Sequence, residues 1–99
     1  MDANIRLPMS YQKDIHRAVE ILKEAGCTHV FLFGSLSIGR VTENSDIDLA
    51  IRGCPKGEFF HLLGRLLLEL DHVTDLVSLD RQDQFAQYLE REGGLLQIA

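Results

Sequence analysis

The chain has 99 residues, 45% of them hydrophobic and 25% charged, with a net charge of -5 and a pI of about 5.2. This composition makes one small domain, residues 1–99, with a single modest core, and it excludes disorder and a membrane-spanning apolar run. An acidic balance without a basic face argues against gripping long nucleic acid, because phosphate contacts dominate that affinity.

Apolar residues at Tyr11, Ile15, Ala18, Leu22 and Ala25, widened by Val19, predict a helix over residues 10–25, with Gly26 as its stop. Residues 30–33 form a short all-apolar run that reads as a buried strand. Residues 34–45 follow as a turn and a loop, polar at its end (Thr42, Glu43, Asn44, Ser45). Residues 46–52 alternate: Ile47, Leu49 and Ile51 take a core face, and Asp46, Asp48, Ala50 and Arg52 take the other. Pro55, between Gly53 and Gly57, breaks the chain before a second helix over 58–70, striped by Phe59, Leu63, Leu66 and Leu70. A third strand over 73–79 leads to a last helix that reaches about Glu90, with Asp80 as its expected N-cap. Gly93 and Gly94 end it and leave an apolar tail, 95–99. The order predicts an α+β fold: a small mixed sheet with helices packed on one face.

Cys27 and Cys54 are too few and too widely set for a disulfide framework, and read as reduced or partly buried side chains. They form no zinc spacing with His16, His29, His61 and His72, which read as surface or internally satisfied residues. No charged-then-apolar leader is visible, so the expected location is the cytoplasm, without membrane contact.

The chemistry concentrates in Gly34-Ser35, ten intervening residues, then Asp46-Ile47-Asp48. A glycine turn lets backbone amides approach a phosphate closely, and a neighbouring hydroxyl adds a donor. Two carboxylates at i and i+2 of a strand share a face roughly 6.5–7 Å apart, within reach of hard divalent cations. Asp75, a carboxylate inside the apolar run of the third strand, would cost several kcal/mol if buried alone, and is better explained by metal or base chemistry. Phosphate cradle and metal clamp together point to phosphoryl or nucleotidyl transfer.

Gly34-Ser35-x10-Asp46-x-Asp48, preceded by Val30-Phe31-Leu32-Phe33 and followed by Asp75, resembles the signature of the DNA polymerase beta-like nucleotidyltransferase superfamily. In size it is similar to the minimal nucleotidyltransferases, so the resemblance covers nearly the whole chain. It implies a palm-like domain in which Asp46, Asp48 and Asp75 are catalytic and hold two Mg2+ ions. It also implies that Gly34 and Ser35 hold the β and γ phosphates of ATP and that Asp75 activates the attacking hydroxyl. Ser45 is a further candidate, either capping its turn or touching phosphate. Many minimal nucleotidyltransferases carry basic residues just after Gly-Ser. Here Leu36 and Ile38 stand in that loop, and Arg40 is the cation available from a shifted position.

Minimal nucleotidyltransferases resembling this one are commonly antitoxins paired with a helical HEPN ribonuclease toxin. The resemblance therefore implies AMP transfer from ATP to a toxin tyrosine, within a homo- or hetero-oligomer. Two other readings stand beside it. One is neutralisation by binding alone, through the helix face of residues 59–70 or the tail of residues 95–98. The other is transfer to a small hydroxylated acceptor.

Overall fold

The computed structural model describes residues 7–42 and 44–99; Glu43, read as part of the polar loop, lies outside the described residues. In chain order the elements are α1 (Met9–Glu24), β1 (His29–Phe33), a 3-10 turn (Gly34–Ile38), β2 (Ile47–Arg52), α2 (Phe59–Glu69), β3 (Thr74–Ser78), a short 3-10 turn (Leu79–Arg81), α3 (Gln84–Glu92) and β4 (Leu96–Gln97). The four strands form one mixed sheet in the order β3-β2-β1-β4, with β1 antiparallel to β2 and β4, and β2 parallel to β3.

Alternation along β1 and β2 sorts side chains onto two faces. Val30, Leu32, Ile47, Leu49 and Ile51 point into the main core, where Ile15, Ala18, Ile21 and Leu22 of α1 meet Leu62 and Leu66 of α2. Phe31, Phe33 and Ala50 point to the other face. Two apolar stripes therefore close over one side of the sheet, as the helical periodicity requires.

The third helix corrects the expectation that all helices share a face. Ala86 and Leu89 of α3 pack on Phe31, Phe33 and Ala50, opposite α1 and α2. Its N-cap is Asp83, whose carboxylate accepts from the Ala86 amide at 2.9 Å, and not Asp80. Asp80 instead accepts from the amides of Gly53 (2.9 Å) and Cys54 (3.3 Å), tying the end of β2 to the turn after β3.

The tail is likewise a structural element. Leu96 pairs with Leu32, the Ala99 carbonyl accepts from the Val30 amide, and Leu96, Ile98 and Ala99 pack on the main core. This removes the tail as a free docking segment. The reading of Cys27 and Cys54 as unpaired is overturned as well: their sulfurs are bonded to one another. The register pairing His29 with Arg52, carried two residues outward, sets position 27 opposite position 54.

Candidate active site

β1 ends at Phe33, and the chain turns at once through Gly34, which has φ +72°. The 3-10 turn is anchored by fully buried Leu36 and closed by Gly39 in the left-handed region, where the Arg40 amide donates to the Ser35 carbonyl at 2.9 Å. Of the two apolar residues in this loop, Leu36 belongs to the core and Ile38 is exposed. The start of the turn carries no side-chain cap, so its leading amides are not occupied from within the turn by a side chain.

Asp48 is the centre of the site. It is the ladder partner of Phe33 across the antiparallel pair and of Asp75 across the parallel pair. Side chains of facing residues share a face, so the Asp48 and Asp75 carboxylates stand side by side, on strands about 4.8 Å apart. A Cβ added to Gly34 would collide with the Asp48 carboxylate, with Cγ only 3.2 Å away. Glycine is therefore required here for close approach as well as for φ. Asp46 lies one step before β2 and is exposed.

Electrostatics agree with this crowding. Burial, then the charge of Asp75, then that of Asp46 push the Asp48 carboxyl up from 3.8 to about 6. Burial also raises the Tyr11 hydroxyl, with the Asp46 charge adding to it. The expectation that Asp75 is the acid carrying a burial cost is corrected: Asp75 is exposed, because it points to the sheet face opposite the main core while its neighbours Thr74 and Leu76 are buried, and the burial falls on Asp48.

Ser45 and Arg40 are placed less directly. The Ser45 hydroxyl accepts from the Thr42 amide at 2.8 Å, so it caps the loop turn. Its carbonyl accepts from the Tyr11 hydroxyl at 2.6 Å, which staples the loop to α1. Arg40 is exposed and, among the described residues, makes no ion pair.

Two supporting residues escaped the sequence reading. Asp14, 4% exposed, accepts from the amides of Asp71 (3.2 Å) and His72 (2.9 Å) and lies 2.7 Å from His72 Nδ1. It fixes the approach to β3, and so the position of Asp75. Its signal was a carboxylate set beside a buried helical stripe. Tyr11 read only as core, yet its ring stacks on His72 at 3.7 Å while its hydroxyl holds the loop before Asp46.

The donor set suits a hard divalent cation. Among the described residues no three metal-binding side chains converge as a closed cage. Mg2+ does not require one, since it binds through one or two carboxylates together with substrate phosphates and water. Burial, and after it the charges of Asp75 and Asp46, raise the Asp48 carboxyl, and a bound cation would offset both.

Residues 16–97 match the family model described as Polymerase beta, Nucleotidyltransferase. No curated protein gives a significant match. Among solved structures, the chain is similar to a toxin-antitoxin crystallised with AMP-PNP, at 26% identity over 87% of this chain and 70% of that one, with a TM-score of 0.65. It is also similar to an MNT antitoxin complex with the tri-AMPylated Shewanella oneidensis HEPN toxin, at 23% identity over 87% and 69% of the two chains (TM-score 0.62). A minimal nucleotidyltransferase matches at 21% identity over 92% and 93%, with a TM-score of 0.67. The last two likenesses concern the fold alone.

Proposed function

This chain belongs to the polymerase beta-type nucleotidyltransferase family, and we propose that it transfers AMP from ATP to a tyrosine hydroxyl of a helical HEPN-type protein partner, as an antitoxin. The observation that carries the reading is the Gly34 turn set directly against Asp48, with Asp75 alongside. The similar structure at 26% identity is a toxin-antitoxin crystallised with AMP-PNP, which supports a nucleotide donor and a protein partner.

In this reading the amides at the start of the 3-10 turn and the Ser35 hydroxyl bind the β and γ phosphates, with Arg40 supplying a positive charge. Ser45 keeps the loop closed beside them. Asp46 and Asp48, with Asp75, would hold Mg2+, which when bound supplies charge neutralisation to the phosphates and acidity to the attacking hydroxyl. Asp75 orients the tyrosine hydroxyl and accepts its proton. The tyrosine oxygen forms a bond to the α phosphorus, the bond from that phosphorus to the α,β-bridging oxygen breaks, and pyrophosphate leaves.

A protein acceptor also suits the outer face of α2. Phe60 (76% exposed), Leu67 (51%) and Leu68 (87%) fall with Gly64 on one helical stripe, turned away from the core stripe of Leu62 and Leu66. Large exposed apolar surface of this kind marks interaction sites. The same stripe would support neutralisation by binding alone.

Calorimetric titration of the protein with ATP and Mg2+ tests the donor half of the reading. The Asp46→Ala, Asp48→Ala double variant is expected to bind at least roughly tenfold more weakly while melting cooperatively, since these carboxylates would hold the Mg2+ that accompanies the phosphates. Equal affinity in the double variant would remove the carboxylates from nucleotide binding. Among the described residues no helix is long and apolar enough to cross a membrane.

A further inference from the structure

α3 is held in the fold by Ala86 and Leu89. It also carries two aromatic side chains that this packing leaves largely open, Phe85 at 48% exposure and Tyr88 at 51%. Their rings are nearly parallel, 16° apart with centroids at 6.5 Å. Phe85 in turn meets the Phe33 ring edge-on at 6.0 Å. Phe33 is the residue before Gly34 and the ladder partner of Asp48, so its ring and the Asp48 carboxylate lie next to each other on one face of the sheet. A row of aromatic rings thus begins beside the acids and runs outward along α3, on the same face.

We infer that Phe85 and Tyr88 form a stacking platform for the nucleobase of the nucleoside triphosphate. The inference rests on the nucleotidyl-transfer reading and adds to it where the base lies. The ladder spacing between Asp48 and Phe33, followed by the Phe33–Phe85 contact, keeps the Phe85 ring within roughly 11 Å of the Asp48 side chain. That is the scale of a nucleoside measured from its first phosphate to its base. A phosphate chain lying along Gly34 and Ser35 therefore has a flat apolar surface within reach of its other end. Aromatic stacking needs no directional donors from the protein, and it accepts any base because every base offers a π face. The platform accordingly confers affinity and orientation, with little choice between adenine and guanine.

The test compares ATP with inorganic tripolyphosphate, which has the phosphates and no base, by calorimetry on the full chain in Mg2+. Phe85→Ala and Tyr88→Ala are each expected to weaken ATP roughly ten- to hundredfold, the loss of one base–aromatic stack, while changing tripolyphosphate by less than about twofold. Tyr88→Phe is expected to keep wild-type affinity for both, because the ring and not the hydroxyl does the stacking. Unchanged ATP affinity in both alanine variants overturns the platform and leaves the nucleotidyl-transfer reading standing. An equal loss for both ligands, or a collapsed thermal melt in both variants, overturns it in favour of a structural role for the rings. A loss of partner binding with ATP affinity intact overturns it in favour of a protein-docking surface. If the wild-type protein binds neither ligand, the nucleotidyl-transfer reading fails and the platform fails with it.

Discussion

Replacing Asp48 with asparagine is expected to slow nucleotidyl transfer severely and to make the metal-free protein more stable. The two effects share one cause. Asp48 is half-buried between Gly34 and Asp75, and its carboxyl is pushed up from 3.8 to about 6. Between those two values the folded state binds more protons than the unfolded chain, so the Asp48 contribution to stability falls as pH rises through this window and then stays low. Undamped, the displacement is worth on the order of 3 kcal/mol, and solvent screening in an open cleft reduces it to about 1–2 kcal/mol. A neutral asparagine side chain at this position carries no such cost. Denaturant unfolding in EDTA should show the variant gaining about 1–2 kcal/mol at pH 7.5 and little at pH 4, with the pH dependence between them flattened. The same change removes a carboxylate from the cation, and transfer should fall on the order of 10²–10³-fold or further. A variant less stable than wild type at pH 7.5 in EDTA would refute the crowding of the three acids.

The second large effect is expected at Gly34. An alanine here meets two separate obstacles. At φ +72° a side chain costs about 1–2 kcal/mol, and its Cβ would also occupy the space of the Asp48 carboxylate. Relief requires Asp48 or the turn to move, and a displacement of about 1 Å at a reacting centre costs on the order of 10²-fold in rate. Gly34→Ala should therefore lose transfer on that scale while losing only about 1–2 kcal/mol of stability, read from the turnover rate and from denaturant unfolding of one preparation. Turnover within about twofold of wild type would show that the close approach of Gly34 to Asp48 has no part in the chemistry.

Those two residues lie in the part of the molecule that was most legible from sequence. Local periodicity set α1, predicted over 10–25 and observed as Met9–Glu24, and α2, predicted over 58–70 and observed as Phe59–Glu69. The alternation of Ile47, Leu49 and Ile51 against Asp46, Asp48 and Ala50 placed the acids on the face away from the main core, where they stand. Glycine, hydroxyl and carboxylates carry their chemistry in their identities, so the spacing sufficed to bring them into view.

What stayed hidden depends on long-range register. The bond between Cys27 and Cys54 follows from how β1 pairs with β2, which no local pattern states. The short tail could become β4 only because β1 offered it a free edge. The exposure of Asp75 follows from its pointing away from the main core on the outer strand β3, and strand order is not written in an apolar run. α3 illustrates a subtler limit. Its two core residues, Ala86 and Leu89, give too narrow a stripe to say which face of the sheet they cover, and Asp80 and Asp83 are equally good caps until the chain direction after β3 is known.

The central proposal is AMP transfer to a protein partner, and intact-mass measurement of that partner tests it most directly. The protein is incubated with ATP, Mg2+ and a HEPN-type helical partner, and the reaction is repeated with Asp46→Ala. The expected result is the mass of one or more AMP units added to the partner by the wild-type protein, mapping to tyrosine, and none added by the variant. A partner that is fully neutralised yet unmodified by the wild-type protein, or a label that appears on RNA or a small molecule instead, would contradict it.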